Sequence, residues 1–230
     1  GLSTRLLENR RKGYVADFED YIGDTAAFIR TAFAPAASSP RILMGHSMGG
    51  HIGLRFLKEH PGIFDKAVFL SPMIGINTFP VPDYLLKYFS RVAVNAGFGN
   101  LYVGGSDGPA VNKFEGNCLT SDPVRFESIF RLVDANPELA LGGATFGWLD
   151  AAFESIGILQ RAGYAETIDT PVLIFSASED RVVRNIAQCE ICRRMPDCRF
   201  VEISGARHEI LQEKDAVQRQ FWNAFEKFIF

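Results

Sequence analysis

The sequence Gly-His-Ser-Met-Gly-Gly at residues 45–50 constrains the fold more than any other stretch of the chain. It follows the apolar run at residues 41–44 and precedes a helical pattern that ends near His60. A serine between two glycines at a strand-to-helix turn is typical of a nucleophile elbow, in which a tight, strained turn exposes the hydroxyl. We expect side chains at Gly45 and Gly49 to collide with the backbone or with a neighbouring strand. Because the bare motif also occurs by chance, the rest of the chain must decide its meaning.

The segments around this turn alternate between strands and helices. Strands are predicted at residues 42–44, 66–71, 171–176 and 199–203. Helices are predicted at residues 17–33, 51–60, 183–195 and 213–230. The second strand is apolar without polar alternation, as is typical of a parallel sheet covered on both faces. The alternation predicts an α/β fold with a mostly parallel sheet and helices on both faces.

This alternation stops between residues 73 and 165, where phenylalanines are mixed with prolines and glycines. Helical patterns within this stretch lie at residues 82–96, 122–134 and 145–162. We interpret residues 73–165 as an inserted cap or lid, and residues 1–72 and 166–230 as the core. Most of the phenylalanines pack in a core, but their number beside the serine also indicates an apolar acyl-binding groove.

A serine hydroxyl needs a general base to act as a nucleophile near neutral pH. The chain has four histidines. His46 adjoins Ser47 in the turn and is expected to point elsewhere. His51 and His60 lie on the following helix, away from the strand ends. Elimination leaves His208, in a loop just beyond the last predicted strand, at the sheet edge that also carries Ser47.

The acid that orients this base should follow another strand. Glu179 and Asp180 leave the third predicted strand side by side, and adjacent side chains cannot both reach one imidazole. We choose Asp180 because the next element starts directly after it, and Glu179 stays as the alternative. The chain order Ser47, Asp180, His208 is the order found in α/β hydrolases.

Composition and charge exclude several other classes of protein. A length of 230 residues with 47% hydrophobic and 22% charged residues suits one globular domain with an insertion. A net charge of −3 gives no reason to expect nucleic acid as a partner. The four cysteines are too few and too irregular for a disulfide framework, so we expect buried thiols and a reduced, cytoplasmic setting.

Two further motifs are set aside. His208 and Glu209 begin a zinc-protease HExxH pattern, but Gln212 stands where the second histidine would be, so no metal site is predicted. The basic run at residues 10–12 is interpreted as a solvated loop, and attraction to an anionic membrane surface is the weaker interpretation.

The chain resembles the bacterial lysophospholipases of the monoacylglycerol-lipase-like serine hydrolases, which are α/β hydrolases. The matching stretches cover nearly the whole chain and lie at residues 45–50, 70–76, 142–148, 171–183, 205–211 and 213–215. The resemblance implies that an ester in a lysophospholipid or monoacylglycerol is hydrolysed, with Ser47 as nucleophile. His208 would then act as base and acid, and Asp180 would orient it. No metal or organic cofactor is implied, and Phe146 and Trp148 in the matching cap stretch are candidates for substrate binding.

The departure from this family lies at the N-terminus. Members carry further strands there, including a His-Gly loop that supplies one oxyanion amide, and residues 1–3 resemble the tail of the motif after that loop. We therefore expect that N-terminal strands are missing from this chain and precede it in the functional protein. Without them, the strand at residues 42–44 would have an unpaired apolar edge, and the oxyanion would keep only the amide of Met48.

Several functions stay open beside the leading one. Because a serine triad is indifferent to which acyl group it transfers, the chain is also compatible with a thioesterase, an acyltransferase or a small-peptide hydrolase. The missing strands are the one argument for a catalytically impaired hydrolase-like protein. We expect a small-molecule or lipid ester as partner, no nucleic acid, and a cytoplasmic location with transient, peripheral contact at the inner face of the membrane.

Overall fold

The computed structural model describes residues 2–32, 39–104 and 113–230. In these ranges the chain forms four strands, β1 (Ile42–His46), β2 (Lys66–Leu70), β3 (Val172–Ala177) and β4 (Cys198–Ile203). The α-helices are α1 (Glu19–Ala32), α2 (Met48–Glu59), α3 (Asp83–Asn95), α4 (Pro123–Ala135), α5 (Phe146–Gln160), α6 (Asn185–Arg194) and α7 (Asp215–Ile229). Phe33, the predicted end of the first helix, lies outside the described residues.

The four strands form one parallel sheet in the order β1-β2-β3-β4. In its register His46 lies beside Leu70, Leu70 beside Phe175, and Ala177 beside Ile203. All four strands therefore end at the same edge of the sheet, where the chain leaves toward the serine turn and the two later loops. The predicted α/β class is confirmed.

Helices cover both faces of the sheet because successive strand residues point to opposite sides. On one face Phe175 of β3 packs against Phe221 of α7, with ring centroids 4.6 Å apart, inside a buried apolar cluster. On the other face Gly53 of α2 lies against Phe69 of β2, and an added Cβ there would come within 2.5 Å of the ring. This glycine lets α2 pack close to the sheet.

Helix α2 is also held by a buried charge. The Arg55 side chain is 3% exposed and donates hydrogen bonds to Glu19 of α1, to Glu59 at 2.8 Å and to Tyr164 at 3.4 Å. Burial by itself would lower the pKa of Arg55, but these hydrogen bonds outweigh it and raise the pKa. The guanidinium therefore stays charged and ties α1, α2 and the segment after α5 together.

The described residues divide into two compact units. Unit 1 comprises Gly1–Phe18, Thr78–Asn117 and Asp122–Ser155, and unit 2 comprises Glu19–Asn77, Cys118–Ser121 and Ile156–Phe230. Unit 2 contains the sheet. The boundaries predicted from the sequence, with a cap at residues 73–165, stay a prediction.

Unit 1 is built around the first turn of α5 and the N-terminal segment. Gly13 pairs with Ala144, and the rings of Phe18 and Trp148 lie 5.9 Å apart. An ion pair of 2.9 Å between Arg91 of α3 and Asp150 of α5 joins the two helices. The N-terminal residues thus belong to the same unit as most of the stretch that was predicted to form a cap.

The cysteines differ from the expectation of four thiols. Cys192 and Cys198 form a disulfide, whereas Cys118 and Cys189 are free. The expectation is wrong for this pair because the turn between α6 and β4 brings their Cα atoms to 5.3 Å, which is within the range that a disulfide spans. The spacing of the cysteines did not reveal it, since the pairing depends on where the helix stops.

Candidate active site

Ser47 lies in a strained turn between β1 and α2. Its backbone has φ 52° and ψ −118°, a conformation that residues other than glycine rarely adopt. The amide of Ser47 donates to the carbonyl of Leu70 at 3.0 Å, and the Ser47 carbonyl accepts from the amide of Met73 at 3.0 Å. Ser47 is the N-cap residue of α2, yet its side chain makes no capping bond. The turn is thus fixed to the end of β2 and its hydroxyl is left for another partner.

The glycines around Ser47 differ in how crowded they are. A Cβ added to Gly45 would lie 2.7 Å from the carbonyl oxygen of Gly49, and one added to Gly50 would lie 2.8 Å from the Cβ of Pro72. A Cβ added to Gly49 meets nothing within 4 Å. The expected collision is therefore confirmed at Gly45 and wrong at Gly49, because Gly49 occupies the exposed side of the first helical turn.

The structure brings Ser47, His208 and Asp180 into one hydrogen-bonded row. His208 Nε2 lies 2.9 Å from Ser47 Oγ, and His208 Nδ1 lies 2.8 Å from Asp180 Oδ2. Since a carboxylate only accepts, Nδ1–H donates to Asp180, and Nε2 is left to accept the serine proton. The side chains of His208 and Asp180 are 4% and 0% exposed. The row is shielded from water apart from its serine end.

Asp180 is held as an anion by its neighbours. Its Oδ1 accepts from the amides of Val182 at 2.8 Å and Val183 at 3.1 Å. Burial by itself would raise the pKa of Asp180, but the hydrogen bond and charge of His208 and these two amides outweigh it and lower the pKa. The alternative, Glu179, is exposed, and its amide donates to the carbonyl of Ala206 at 2.8 Å. The structure therefore brings Asp180 to His208 and leaves Glu179 at the surface.

His46 is a neighbour of the site that sequence reasoning missed. Its Nε2–H donates to the carbonyl of His208 at 3.1 Å, and the two rings lie 4.8 Å apart. Its Nδ1 lies 3.9 Å from the carboxylate of Glu209. Burial is the largest influence on His46 and lowers its pKa, although Glu209 opposes this. Each histidine was considered from the sequence only as a base, so a histidine that supports the base was not sought.

His60 lies away from the strand ends, as expected, whereas the ring of His51 contacts the loop just after β2. His51 is buried, and its Nδ1–H donates to the carbonyl of Met73 at 3.0 Å. Burial lowers the pKa of His51 to about 3, so its ring is neutral. His60 stacks on Phe56 at the far end of α2, with ring centroids 4.6 Å apart. Both have structural partners within unit 2.

The remaining predicted site residues stay predictions. Met48 is the first residue of α2, so its amide belongs to the first turn, whose N–H groups have no partner within the helix. Phe146 and Trp148 lie in the first turn of α5, in unit 1, where the amide of Phe146 donates to the carbonyl of Leu101 at 3.0 Å. Within the described ranges no three potential metal ligands come together.

A parallel sheet, a serine on a strained turn after the first strand, and a carboxylate and an imidazole after the last two strands define the class of α/β hydrolases. The chain belongs to the Hydrolase_4 family, whose model is described as serine aminopeptidase, S33, and matches residues 1–215.

Two bacterial proteins are similar in sequence to this chain along almost its whole length. Lysophospholipase L2 of Escherichia coli K12 is 32% identical, and the match covers 99% of this chain and 68% of that protein. A probable lysophospholipase L2 of Haemophilus influenzae is 30% identical, with coverage of 100% and 71%. The resemblance to lysophospholipases is confirmed.

Solved structures agree on the fold. A monoglyceride lipase of Saccharomyces cerevisiae superposes with a TM-score of 0.73 at 18% identity, covering 93% of this chain and 69% of that one. A monoacylglycerol lipase of Paleococcus ferrophilus superposes with a TM-score of 0.71 at 17% identity, covering 94% and 76%. At such identities these likenesses support the α/β-hydrolase fold and nothing finer.

Proposed function

We propose that this chain is a carboxylic-ester hydrolase that cleaves the ester of a monoacyl lipid, a lysophospholipid or a monoacylglycerol, through an acyl-enzyme on Ser47. The observation that supports the chemistry most strongly is the hydrogen-bonded row from Ser47 through His208 to Asp180. The names of the relatives, lysophospholipase L2 among them, support the substrate class.

Each step of the reaction uses a group in this row. His208 Nε2 takes the proton of Ser47 as the Oγ attacks the acyl carbon, and the amide of Met48 stabilises the resulting oxyanion. The imidazolium is stabilised by the Asp180 anion and passes its proton to the leaving alcohol. Water, deprotonated by His208, then attacks the acyl-enzyme and releases the fatty acid and Ser47. The balance is ester plus water to acid plus alcohol.

A substrate panel tests the substrate class. Lysophosphatidylcholine, monooleoylglycerol, a diacylglycerol, an acyl thioester and an aminoacyl p-nitroanilide are each incubated with the protein and with Ser47→Ala. We expect fatty acid release from the monoacyl lipids, a preference for long chains among p-nitrophenyl esters, and no release by Ser47→Ala. Turnover of the aminoacyl p-nitroanilide or the thioester alone would instead support a peptidase or a thioesterase. No turnover on any substrate would support the impaired hydrolase.

Phe146 and Trp148 are proposed to contact the acyl chain. Phe146→Ala and Trp148→Ala should raise KM for long-chain esters more than for acetyl esters. Each variant buries less apolar surface against a long acyl chain than the wild type does, whereas an acetyl group is too short to make these contacts. Equal effects on both chain lengths would contradict this role.

A cytoplasmic location with peripheral membrane contact also stays a proposal. No helix in the described ranges is both long and apolar enough to cross a bilayer. The disulfide between Cys192 and Cys198 argues against the cytoplasm, because disulfides are rare there. Cell fractionation, with alkylation of free thiols before lysis, would decide between a reduced and an oxidising compartment.

A further inference from the structure

Glu213 is a buried carboxylate that has no part in the predicted triad or in the proposed reaction. It is 0% exposed and follows the short 3-10 helix Ile210–Gln212, five residues after His208. A glutamate is almost never fully buried unless its oxygens are satisfied by close partners. Its hydrogen bonds therefore indicate what it holds in place.

The partners of Glu213 come from two separate segments. Its Oε1 accepts from the amide of Arg207 at 2.8 Å, directly before His208 in the chain. Its carboxylate also accepts from the amide of Ser121 at 3.0 Å and from the hydroxyl of Ser121. Because all of these groups are donors, a carboxylate, which only accepts, suits the position better than an amide.

Ser121 ends a four-residue stretch, Cys118–Ser121, which we call the crossing segment. It interrupts the residues of unit 1 in sequence but belongs to unit 2. The amide of His208 donates to the carbonyl of Cys118 at 3.3 Å, and the amide of Glu209 donates to that of Leu119 at 2.8 Å. The first two residues of the crossing segment therefore pair with the backbone of His208 and Glu209.

Two further bonds lock the crossing segment to the loop. The hydroxyl of Thr120 donates to the carbonyl of Gln212 at 2.7 Å, and Nη1 of Arg207 donates to the carbonyl of Thr120 at 2.9 Å. On the other side, Nε2 of Gln218 in α7 donates to the carbonyl of Glu213 at 2.8 Å. Glu213 thus stands between the crossing segment, the His208 loop and α7.

We propose that Glu213 is a positioning residue for His208. It anchors the amide of Arg207 and the crossing segment, and so sets the 2.9 Å separation between His208 Nε2 and Ser47 Oγ. The amides of three consecutive residues, Arg207 to Glu209, are held by Glu213 and the crossing segment, so the backbone that carries the imidazole cannot shift without breaking these bonds. This inference rests on the proposed catalytic role of Ser47 and His208.

Glu213→Gln tests the proposal because it keeps the shape but adds an N–H donor where donors already converge. Glu202→Gln, at an exposed position of β4, is the matched control. We expect kcat for a p-nitrophenyl ester to fall about 10- to 100-fold in Glu213→Gln, since displacements near 1 Å cost about that much. KM should change less than about two-fold, because substrate binding is not removed. Active-site titration normalises both values to folded protein.

Two readouts separate positioning from a purely structural role. The labelling rate of Ser47 by a fluorophosphonate should fall together with kcat, and the downfield NMR proton of the His208–Asp180 hydrogen bond should shift or broaden. Wild-type kcat, labelling rate and proton resonance in folded Glu213→Gln would overturn the proposal. If Glu213→Gln does not fold, Ser121→Ala decides, because it removes one donor to the carboxylate. A lower kcat in Ser121→Ala supports the proposal, and an unchanged kcat overturns it.

The same experiment distinguishes failure of this inference from failure of the proposed function. Ser47→Ala serves as the reference in every assay. If labelling persists in Ser47→Ala, the proposed function fails, and the positioning proposal fails with it. If Ser47→Ala loses labelling while Glu213→Gln keeps the wild-type rate, the positioning proposal alone fails.

Discussion

At the scale of single residues, the site combines a strained backbone at Ser47 with a buried negative charge at Asp180. The strained backbone of Ser47 lifts its hydroxyl away from the capping position of α2, where His208 meets it at 2.9 Å. The charge is kept on Asp180 by two backbone amides and by His208. A hydroxyl that is exposed by backbone geometry and an imidazole that is oriented by a buried anion form an arrangement that suits acyl transfer.

Asp180→Asn should lower kcat about 10³- to 10⁴-fold, because an amide can donate to His208 and so favour the wrong imidazole tautomer. Glu179→Gln is the matched control, since Glu179 neighbours Asp180 but is exposed. Steady-state hydrolysis of a p-nitrophenyl ester measures both. A large loss in Glu179→Gln with little loss in Asp180→Asn would show that Glu179, and not Asp180, is the acid.

The pKa of Asp180 predicts how stability depends on pH. Its folded pKa lies below the ordinary value of 3.8, so the ionised carboxylate stabilises the fold above about that pH. This stabilisation is lost as the pH falls through the folded pKa. In urea unfolding, the gap in free energy of unfolding between the wild type and Asp180→Asn should be constant near neutral pH and shrink in acid below 3.8. A gap that widens in acid would contradict the lowered pKa.

At the scale of elements, the turn from β1 to α2 depends on one glycine more than on the other. Gly45→Ala would push a Cβ to 2.7 Å from the backbone of Gly49, so the turn must shift, whereas Gly49→Ala meets nothing within 4 Å. We expect Gly45→Ala to lower kcat at least about 10²-fold, because a small displacement of the nucleophile is costly. Gly49→Ala should stay within a few-fold of the wild type. Equal losses of kcat, measured with a p-nitrophenyl ester, would contradict the difference in crowding between the two glycines.

The elements were largely predictable from the sequence, because their signals are local. The apolar runs became β1 to β4 and the helical patterns became α1, α2, α6 and α7, with ends that differ by a few residues. His208 followed from the rule that parallel strands end at one edge. Long-range contacts between backbone groups were not predictable in this way. The crossing segment pairs with the His208 loop through backbone groups, and backbone groups leave no periodic pattern in a sequence.

The glycine motif shows the same limit at closer range. In the sequence Gly45 and Gly49 look alike, since both flank the serine in the motif. Only the folded turn distinguishes the glycine that faces backbone from the one on the open side of the helix. His46 was missed because its bond to His208 is made to a backbone carbonyl, which leaves no signal in the sequence.

At the scale of the whole molecule, the sheet and all three residues of the row lie in unit 2. Unit 2 also includes the crossing segment, so the insertion contributes residues to the unit that carries the site. The backbone of the His208 loop is therefore bonded by residues from the predicted cap stretch as well as from the predicted core.

The Cys192–Cys198 disulfide closes a short loop between α6 and β4. Cys192→Ser with Cys198→Ser should lower the free energy of unfolding by about 2 kcal/mol, as expected for a cross-link over so few residues. Cys118→Ser with Cys189→Ser is the control, since both of these cysteines are free. Urea unfolding without reductant measures the difference. Equal free energies of unfolding in the two double variants would contradict a disulfide in solution.

The most direct test of acyl transfer through Ser47 is to find where the acyl group is carried. The protein is mixed with lysophosphatidylcholine, quenched in acid within milliseconds, digested and analysed by mass spectrometry. We predict a fatty acyl adduct on Ser47, free fatty acid at later times, and neither product with Ser47→Ala. An adduct on another residue, or fatty acid released by Ser47→Ala at the wild-type rate, would contradict the proposed mechanism.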